Sequence, residues 1–267
     1  MNSRHLFALL ATSLAYIPAS HGAIVSYWSF DTDFTSDLGG PDFDLTPSGG
    51  ATAGDPGGRF GNAASFDRAR SQFASTGGDV LTAGNNFSYS AWFNFSVADI
   101  TDSSRYFVLE TSAGDTPSGS QAWTASIGLR DQNTATTEDE LQIYSSAPSA
   151  AVGQTIMTSN VWQNVIVTFD ADGGAGASGL YTAYLNGTGF ASVENTSGAV
   201  GGLVIGGHRT GTGRNFDGQI DDVAFFDTVL SPGEISFLQS SPANAIPEPT
   251  SAFLLTIGSL AFLRRRR

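Results

Sequence analysis

The sequence predicts an all-β fold, a two-sheet antiparallel β-sandwich, on three observations. Short runs alternate apolar and polar residues. Clusters rich in Gly, Pro and Asp separate them, as at Gly39-Gly40-Pro41, Asp55-Pro56-Gly57-Gly58 and Asp172-Gly173-Gly174. No helical period is sustained between residues 24 and 240. With no internal repeat of roughly 20 to 50 residues, the pattern points to one sandwich rather than a propeller or solenoid.

The first strand is expected at residues 25–30. The clearest follows at 87–97, where Phe87, Tyr89, Ala91, Phe93, Phe95 and Val97 share one face while Ser88, Ser90, Trp92, Asn94 and Ser96 share the other. The first of these faces is core. Further strands are expected at 106–111, 124–129, 140–144, 161–169, 180–185, 203–205 and 219–226. Asn186-Gly187, between Tyr184-Leu185 and Phe190, signals a hairpin, because both residues tolerate the positive φ of a type I′ turn. In the last strand Asp221 and Asp222 are consecutive, so strict alternation puts one on the side of Ile220, Ala224 and Phe226 and the other with Val223 and Phe225. A carboxylate buried there needs a partner, either an arginine such as Arg59 or Arg214 or a cation. Ser231-Pro232-Gly233-Glu234 then opens a short helix through Leu238: an N-cap serine, proline at the first helical position, and glutamate three residues on.

Charge narrows the function. Residues 24–245 hold seven Arg, no Lys, nineteen Asp and five Glu, a net charge of −17. Such a body repels phosphate backbones, so nucleic acid is excluded as a partner. The surplus serves solubility or supplies oxygen ligands to a hard cation such as calcium. There is no Cys, which excludes disulfides, Cys-ligated zinc and thiol catalysis. Stability must come from a core, and a body of this length can bury on the order of 70% of its unfolded surface.

Both ends read as processing segments. Arg4 and His5 precede an apolar run from Leu6 to Ile17, with small residues at Ser20, Gly22 and Ala23; residues 1–23 are expected to be a secretory signal peptide. At the other end, within residues 241–267, stand Pro247, Glu248 and Pro249, the apolar stretch Ser251 to Leu263, and Arg264, Arg265, Arg266 and Arg267. The prolines make an extended segment, the apolar run forms a short helix that can enter a bilayer, and the arginines stay on the cytoplasmic side. This tripartite ending resembles the PEP-CTERM sorting signal of Gram-negative bacteria. The resemblance implies recognition by an exosortase after transient anchoring in the inner membrane, removal of the tail, and delivery to the cell surface or extracellular matrix in bacteria that make exopolysaccharide. An unprocessed membrane anchor is the alternative.

The body, residues 24–240, resembles the concanavalin A-like, laminin G-like jelly-roll domains. Six blocks in order carry the resemblance. They are Tyr27-Trp28-Ser29-Phe30-Asp31; Gly61-Asn62-Ala63-Ala64-Ser65-Phe66-Asp67; Phe87 to Phe93; Trp162 to Asp170; Tyr184-Leu185-Asn186-Gly187; and Phe216 to Val223, followed by the helix start at Ser231. The resemblance implies two antiparallel sheets, one concave, packed at roughly 10 Å. It also implies a structural calcium joining the N-terminal strand to a late aspartate, which maps onto Asp31 and Asp222.

Catalytic chemistry finds little support. His208 is the one histidine outside the signal segment, so neither a multi-His metal site nor a GxSxG-type serine triad can be assembled. The Glu-x-Asp-x-Glu stretch of glucanases sharing this fold is missing, and its nearest substitute, Glu138-Asp139-Glu140, follows a polar loop. Aromatics are the other device, since Trp and Tyr stack on sugar rings. Trp123 and Trp92 are the candidate platforms, while Trp28 and Trp162 read as core. The expectation is a secreted, non-enzymatic, lectin-like protein that binds polysaccharide or surface glycan in the exopolysaccharide matrix. The alternatives are an adhesive matrix protein that contacts other proteins and, third, a polysaccharide hydrolase or lyase.

Overall fold

The computed structural model describes residues 22–38, 40–76, 80, 85–96, 105–112, 124–130, 140–144, 151–176, 178–195, 201–208 and 213–246. Residues 1–21 of the expected signal peptide and 247–267 of the expected sorting segment, from Pro247 to Arg267, therefore lie outside the described residues. So do Trp123, Glu138 and Asp139.

Fifteen strands follow one another among these residues. They are β1 (Ile24–Trp28), β2 (Thr46–Ser48), β3 (Thr52–Pro56), β4 (Asn62–Phe66), β5 (Phe73–Thr76), β6 (Phe87–Phe95), β7 (Tyr106–Ser112) and β8 (Ser126–Arg130). The rest are β9 (Glu140–Tyr144), β10 (Ala151–Ile156), β11 (Gln163–Asp170), β12 (Gly179–Leu185), β13 (Thr188–Asn195), β14 (Gly202–Ile205) and β15 (Gly218–Phe226). One short helix, α1 (Pro232–Phe237), and three 3₁₀ turns, Pro41–Phe43, Arg68–Arg70 and Ala243–Ala245, complete the described elements. The first sheet has eight strands in the order β13-β12-β11-β6-β15-β4-β3, with β1 also paired to β15; the second has seven, β10-β9-β8-β7-β14-β5-β2. All the pairings are antiparallel. The expected two-sheet sandwich is the observed fold.

The core lies between the sheets and follows the period of two. From β6, Phe87, Tyr89, Ala91, Phe93 and Phe95 turn inward to meet Ile127 of β8, Ile143 of β9 and Leu203 of β14. Each large side chain removed from water there contributes about 1.5–3 kcal/mol. The Tyr89 hydroxyl donates to the Ala125 carbonyl, so the core also carries a hydrogen bond from one sheet to the other. The predicted hairpin is present: Asn186 and Gly187 have φ of 49° and 76° and join β12 to β13.

The last strand departs from its predicted alternation. Its register against β6 shifts between Asp221 and Ala224, and Asp222 adopts a left-handed φ of 50°. The extra residue of this bulge lets Ile220, Val223 and Phe225 all enter the main core, while Ala224 and Phe226 face the opposite side. The two carboxylates are thus not divided between the faces: both are fully buried on the outer side of the first sheet. Asp222 accepts from the Tyr27 hydroxyl at 2.7 Å and from the Ala243 N–H at 3.1 Å. Asp221 accepts from the Phe60 N–H at 2.9 Å. Neither Arg59 nor Arg214 is the expected partner. The Arg59 guanidinium lies over Trp92 and donates to the Gln239 carbonyl, and Arg214 turns toward His208.

That outer side is dry because the C-terminal segment covers it. Leu230, Ile235, Leu238 and Ile246 pack on Tyr27, Ile166 and Phe226. Buried polar side chains of the sheet fasten the same segment. Ser88 Oγ donates to the Thr228 carbonyl at 2.8 Å and accepts from the Leu230 N–H at 3.0 Å, and Gln239 Nε2 donates to Asn164 Oδ1 at 3.0 Å. The predicted helix start is a full capping box. Ser231 Oγ accepts from the Glu234 N–H at 3.3 Å and Glu234 Oε2 accepts from the Ser231 N–H at 2.7 Å.

Two outcomes test this packing. Ile235→Ala removes a 5% exposed anchor of the segment and is expected to cost about 2–4 kcal/mol in urea denaturation; a loss near zero would mean that the segment does not seal the face. Burial raises Asp221 to about 7 and Asp222 to about 6, against about 3.9 in an unfolded chain. Below about pH 4 both states hold these protons, and between about pH 4 and 7 the folded state holds protons that the unfolded chain releases. Stability therefore falls as pH rises through that window. In EDTA the melting temperature should drop from pH 5 to pH 8, and Asp221→Asn should flatten the profile; a rising profile contradicts the burial.

Candidate functional site

The candidate platform Trp92 is not a platform. It is 4% exposed, meets Phe60 edge-on with ring centroids 5.9 Å apart, and lies under the Arg59 guanidinium at 4.4 Å. Its strand face is roofed, so a residue opposite the main core is still buried. Trp28 is core as expected, its Nε1 donating to the Phe43 carbonyl at 3.1 Å. Trp162 is only half-buried and donates to the Gly57 carbonyl at 3.1 Å, so it belongs to the sandwich edge and not to the core.

Asp31 and Asp222, expected to share a calcium, are committed to separate partners. Asp31 is exposed; its Oδ1 accepts from the Asn62 N–H at 2.8 Å, and its backbone carbonyl accepts from Asn62 Nδ2 at 2.9 Å. Asp222 is spent on Tyr27 and Ala243. Among the described residues no group of three or more Asp, Glu or His side chains gathers as a metal site.

The outer face of the second sheet is built differently. In β8 and β9 the inward residues are Ile127, Leu129, Leu141 and Ile143, so the alternate residues Ser126, Gly128, Arg130, Glu140, Gln142 and Tyr144 face outward. Register places Phe107 beside Gly128 and Gly128 beside Gln142. Gly128 makes the face possible: a Cβ there would stand 3.2 Å from the rings of both Phe107 and Tyr144. In the space it leaves, those rings meet edge-on with centroids 5.5 Å apart.

Polar groups surround the rings. Tyr144 donates from its hydroxyl to Gln142 Oε1 at 2.7 Å, and Gln142 Nε2 donates to Glu140 Oε2 at 3.1 Å. The Arg105 guanidinium lies 4.9 Å from the Tyr144 ring centroid. On the other side of Phe107 the His208 ring stacks at 5.6 Å, with Arg214 Nη1 at 3.4 Å and Glu110 Oε2 at 3.8 Å from its Nε2. Arg214 is tied to the sheet by its carbonyl, which accepts from the Phe107 N–H at 3.2 Å. Burial pushes the Tyr144 phenol up to about 12, against the opposing pull of Arg105, Arg130 and Arg214. Arg105 is pushed below its usual range by burial and, in part, by the charges of Arg130 and Arg214. The face therefore combines flat apolar rings with amide, phenol, carboxylate and guanidinium groups.

The sequence reading missed these residues. Glu140, Gln142 and Tyr144 did carry a signal, a polar set at period two opposite Leu141 and Ile143. Nothing local marked Arg105 or Arg214, which reach the face from a strand's edge and from the segment before β15.

Comparison with solved structures finds sugar-bound proteins of the same fold. Domain 4 of AbnA, a GH43 extracellular arabinanase from Geobacillus stearothermophilus in complex with arabinotriose, aligns at 16% identity and a TM-score of 0.56, over 83% of this chain and 100% of that one. The botulinum neurotoxin serotype D ligand-binding domain in complex with N-acetylneuraminic acid aligns at 12% identity and a TM-score of 0.55, over 81% of this chain and 50% of that one. At these identities the likeness is one of fold. No curated protein matches the chain. Residues 245–267 match the PEP-CTERM protein-sorting motif, which implies exosortase processing and export to the envelope or surface of a Gram-negative bacterium. Residues 67–236 match the remaining family model, and with the two-sheet architecture this shows that the chain belongs to the concanavalin A-like lectin/glucanases superfamily.

Proposed function

We propose that the protein is a non-enzymatic, glycan-binding component of the cell surface or exopolysaccharide matrix, delivered there through its sorting tail. One observation carries the reading: residues 67–236 belong to the concanavalin A-like lectin/glucanases superfamily. The carbohydrate complexes among structures of similar fold support the same reading.

Binding is favoured over cleavage by the state of the carboxylates on the outer face of the second sheet. Glycoside hydrolysis needs one carboxyl group poised as an acid and a second as nucleophile or base. Here Glu140 accepts from Gln142, and Glu110 faces His208. Both are occupied in holding the face together.

Two measurements test the proposal. On a glycan and exopolysaccharide array the full chain is expected to bind at least one polysaccharide and to release no reducing ends from it; failure to bind any glycan would favour a protein-contacting matrix role. Mass spectrometry of the protein exported by its native host is expected to show a C-terminus cut near Pro247-Glu248-Pro249, and an intact Arg267 would contradict sorting by cleavage.

A further inference from the structure

We infer that signal peptidase cuts this chain between Gly22 and Ala23, and that the α-ammonium created on Ala23 is held by the carboxylate of Asp227. Water adds across the amide, Gly22 leaves as a carboxylate, and Ala23 keeps the amine, protonated at neutral pH. The inference concerns the start of the mature chain and is independent of glycan binding.

Two backbone nitrogens carry the first argument. The Gly22 N–H donates to Glu234 Oε1 at 3.2 Å, and the Ala23 N–H donates to Asp227 Oδ1 at 2.9 Å. Along an antiparallel pair such donors meet carbonyls, yet here consecutive ones meet acids, one from α1 and one from the residue after β15. A carboxylate holds an ammonium through charge as well as hydrogen bonding. Among the described residues no arginine pairs with Asp227, and the chain holds no lysine that could do so.

The position of the new terminus is fixed before any charge appears. The Asp227 N–H donates to the Ala23 carbonyl at 3.1 Å, and the next residue, Ile24, stands opposite Phe226 in the ladder of β1 with β15. These bonds lie on the C-terminal side of the Gly22–Ala23 amide and survive its loss. The ammonium therefore meets Asp227 without further ordering of the chain.

The surroundings of Gly22 suit the same cut. A Cβ on Gly22 would stand 2.5 Å from Thr228 Oγ1, a buried hydroxyl with no hydrogen-bond partner among the described residues. An ammonium has three donors where an amide has one. Glu234 Oε1 and Thr228 Oγ1 both border Gly22, so its departure leaves them beside the new terminus as acceptors for the two extra donors.

The sequence selects the bond. Signal peptidase needs small residues before the cut, in an Ala-x-Ala-like pattern. Ser20 and Gly22 provide them for cleavage before Ala23. Cleavage before Ile24 would put His21 at the first small position, and cleavage before Gly22 would put it directly at the cut. The signal segment thus ends at Gly22, one residue earlier than expected.

The absence of lysine makes the test clean, because the α-amine is then the one primary amine of the chain. Mass spectrometry of the protein exported by its native host is expected to find Ala23 first; Gly22 or Ile24 first, or a retained Met1, would overturn the site. The rate at which trinitrobenzenesulfonate reacts with the exported protein, followed against pH, then reads the pKa of that amine. In the folded protein it is expected at least about 0.5 above the usual range of roughly 7.7–8.0, and in concentrated urea within that range. Asp227→Asn should abolish most of the difference. Asp33→Asn removes the same charge from an exposed position beyond the other end of β1 and should change nothing. If the Asp227→Asn protein does not melt like the parent, the folded and unfolded parent decide alone. An amine that titrates alike in the folded and unfolded parent, or identically in the parent and a folded Asp227→Asn variant, would overturn the ion pair.

Discussion

A two-sheet sandwich hides one face of each sheet by construction and leaves two outer faces to be dealt with. Here the first is sealed by the chain itself, and the seal depends on the bulge at Asp222. A non-glycine residue in the left-handed region costs on the order of 1 kcal/mol or more. The return is geometric: the bulge turns the carboxylate of Asp222 outward, where it accepts from Tyr27 of β1 and from the Ala243 N–H. One side chain so ties the first strand and the last buried turn to β15. Ser88, Asn164 and Gln239 extend the same polar seam across β6 and β11. The packing runs to Ile246, the residue before Pro247.

The outer face of the second sheet is buried as well, with Phe107 and Gln142 at 0% and Tyr144 at 1% exposure. The aromatic wealth of the chain is spent mostly between the sheets, and the outer side of the first sheet is occupied by Trp92, Tyr27 and Phe226 under their own roof. The outer face of the second sheet is different in kind. A Cβ at its Gly128 would stand 3.2 Å from both rings, its hydrogen bonds run in series through Tyr144, Gln142 and Glu140, and three arginines lie around Tyr144. Paired strands with rigid alternation hold such a set in fixed relation.

Much of the fold was legible because the strongest strands announce themselves. The alternation in β6, the Asn186-Gly187 turn and the capping box at Ser231 each rest on local physics, and each is present where expected. The weak strands were not legible. β2 and β3, Thr-Pro-Ser and Thr-Ala-Gly-Asp-Pro, carry little apolar alternation and exist because β5 and β4 offer them hydrogen bonds. The site was harder still. Trp92 stayed a candidate platform because a strand shows which residues share a face but not what covers that face. Asp221 and Asp222 looked divided between two faces because a bulge is invisible to a period of two.

Class, the sorting motif, charge and the inward face of the long strands follow from residue order alone, because they depend on composition and on neighbours two to four positions apart. The roof over the first sheet, the pairing of Asp222 with Tyr27 and Ala243, and the meeting of Arg105, Arg130 and Arg214 around Tyr144 were decided by tertiary structure. Those partners lie far apart in the chain, and only the order of strands in the two sheets brings them within reach.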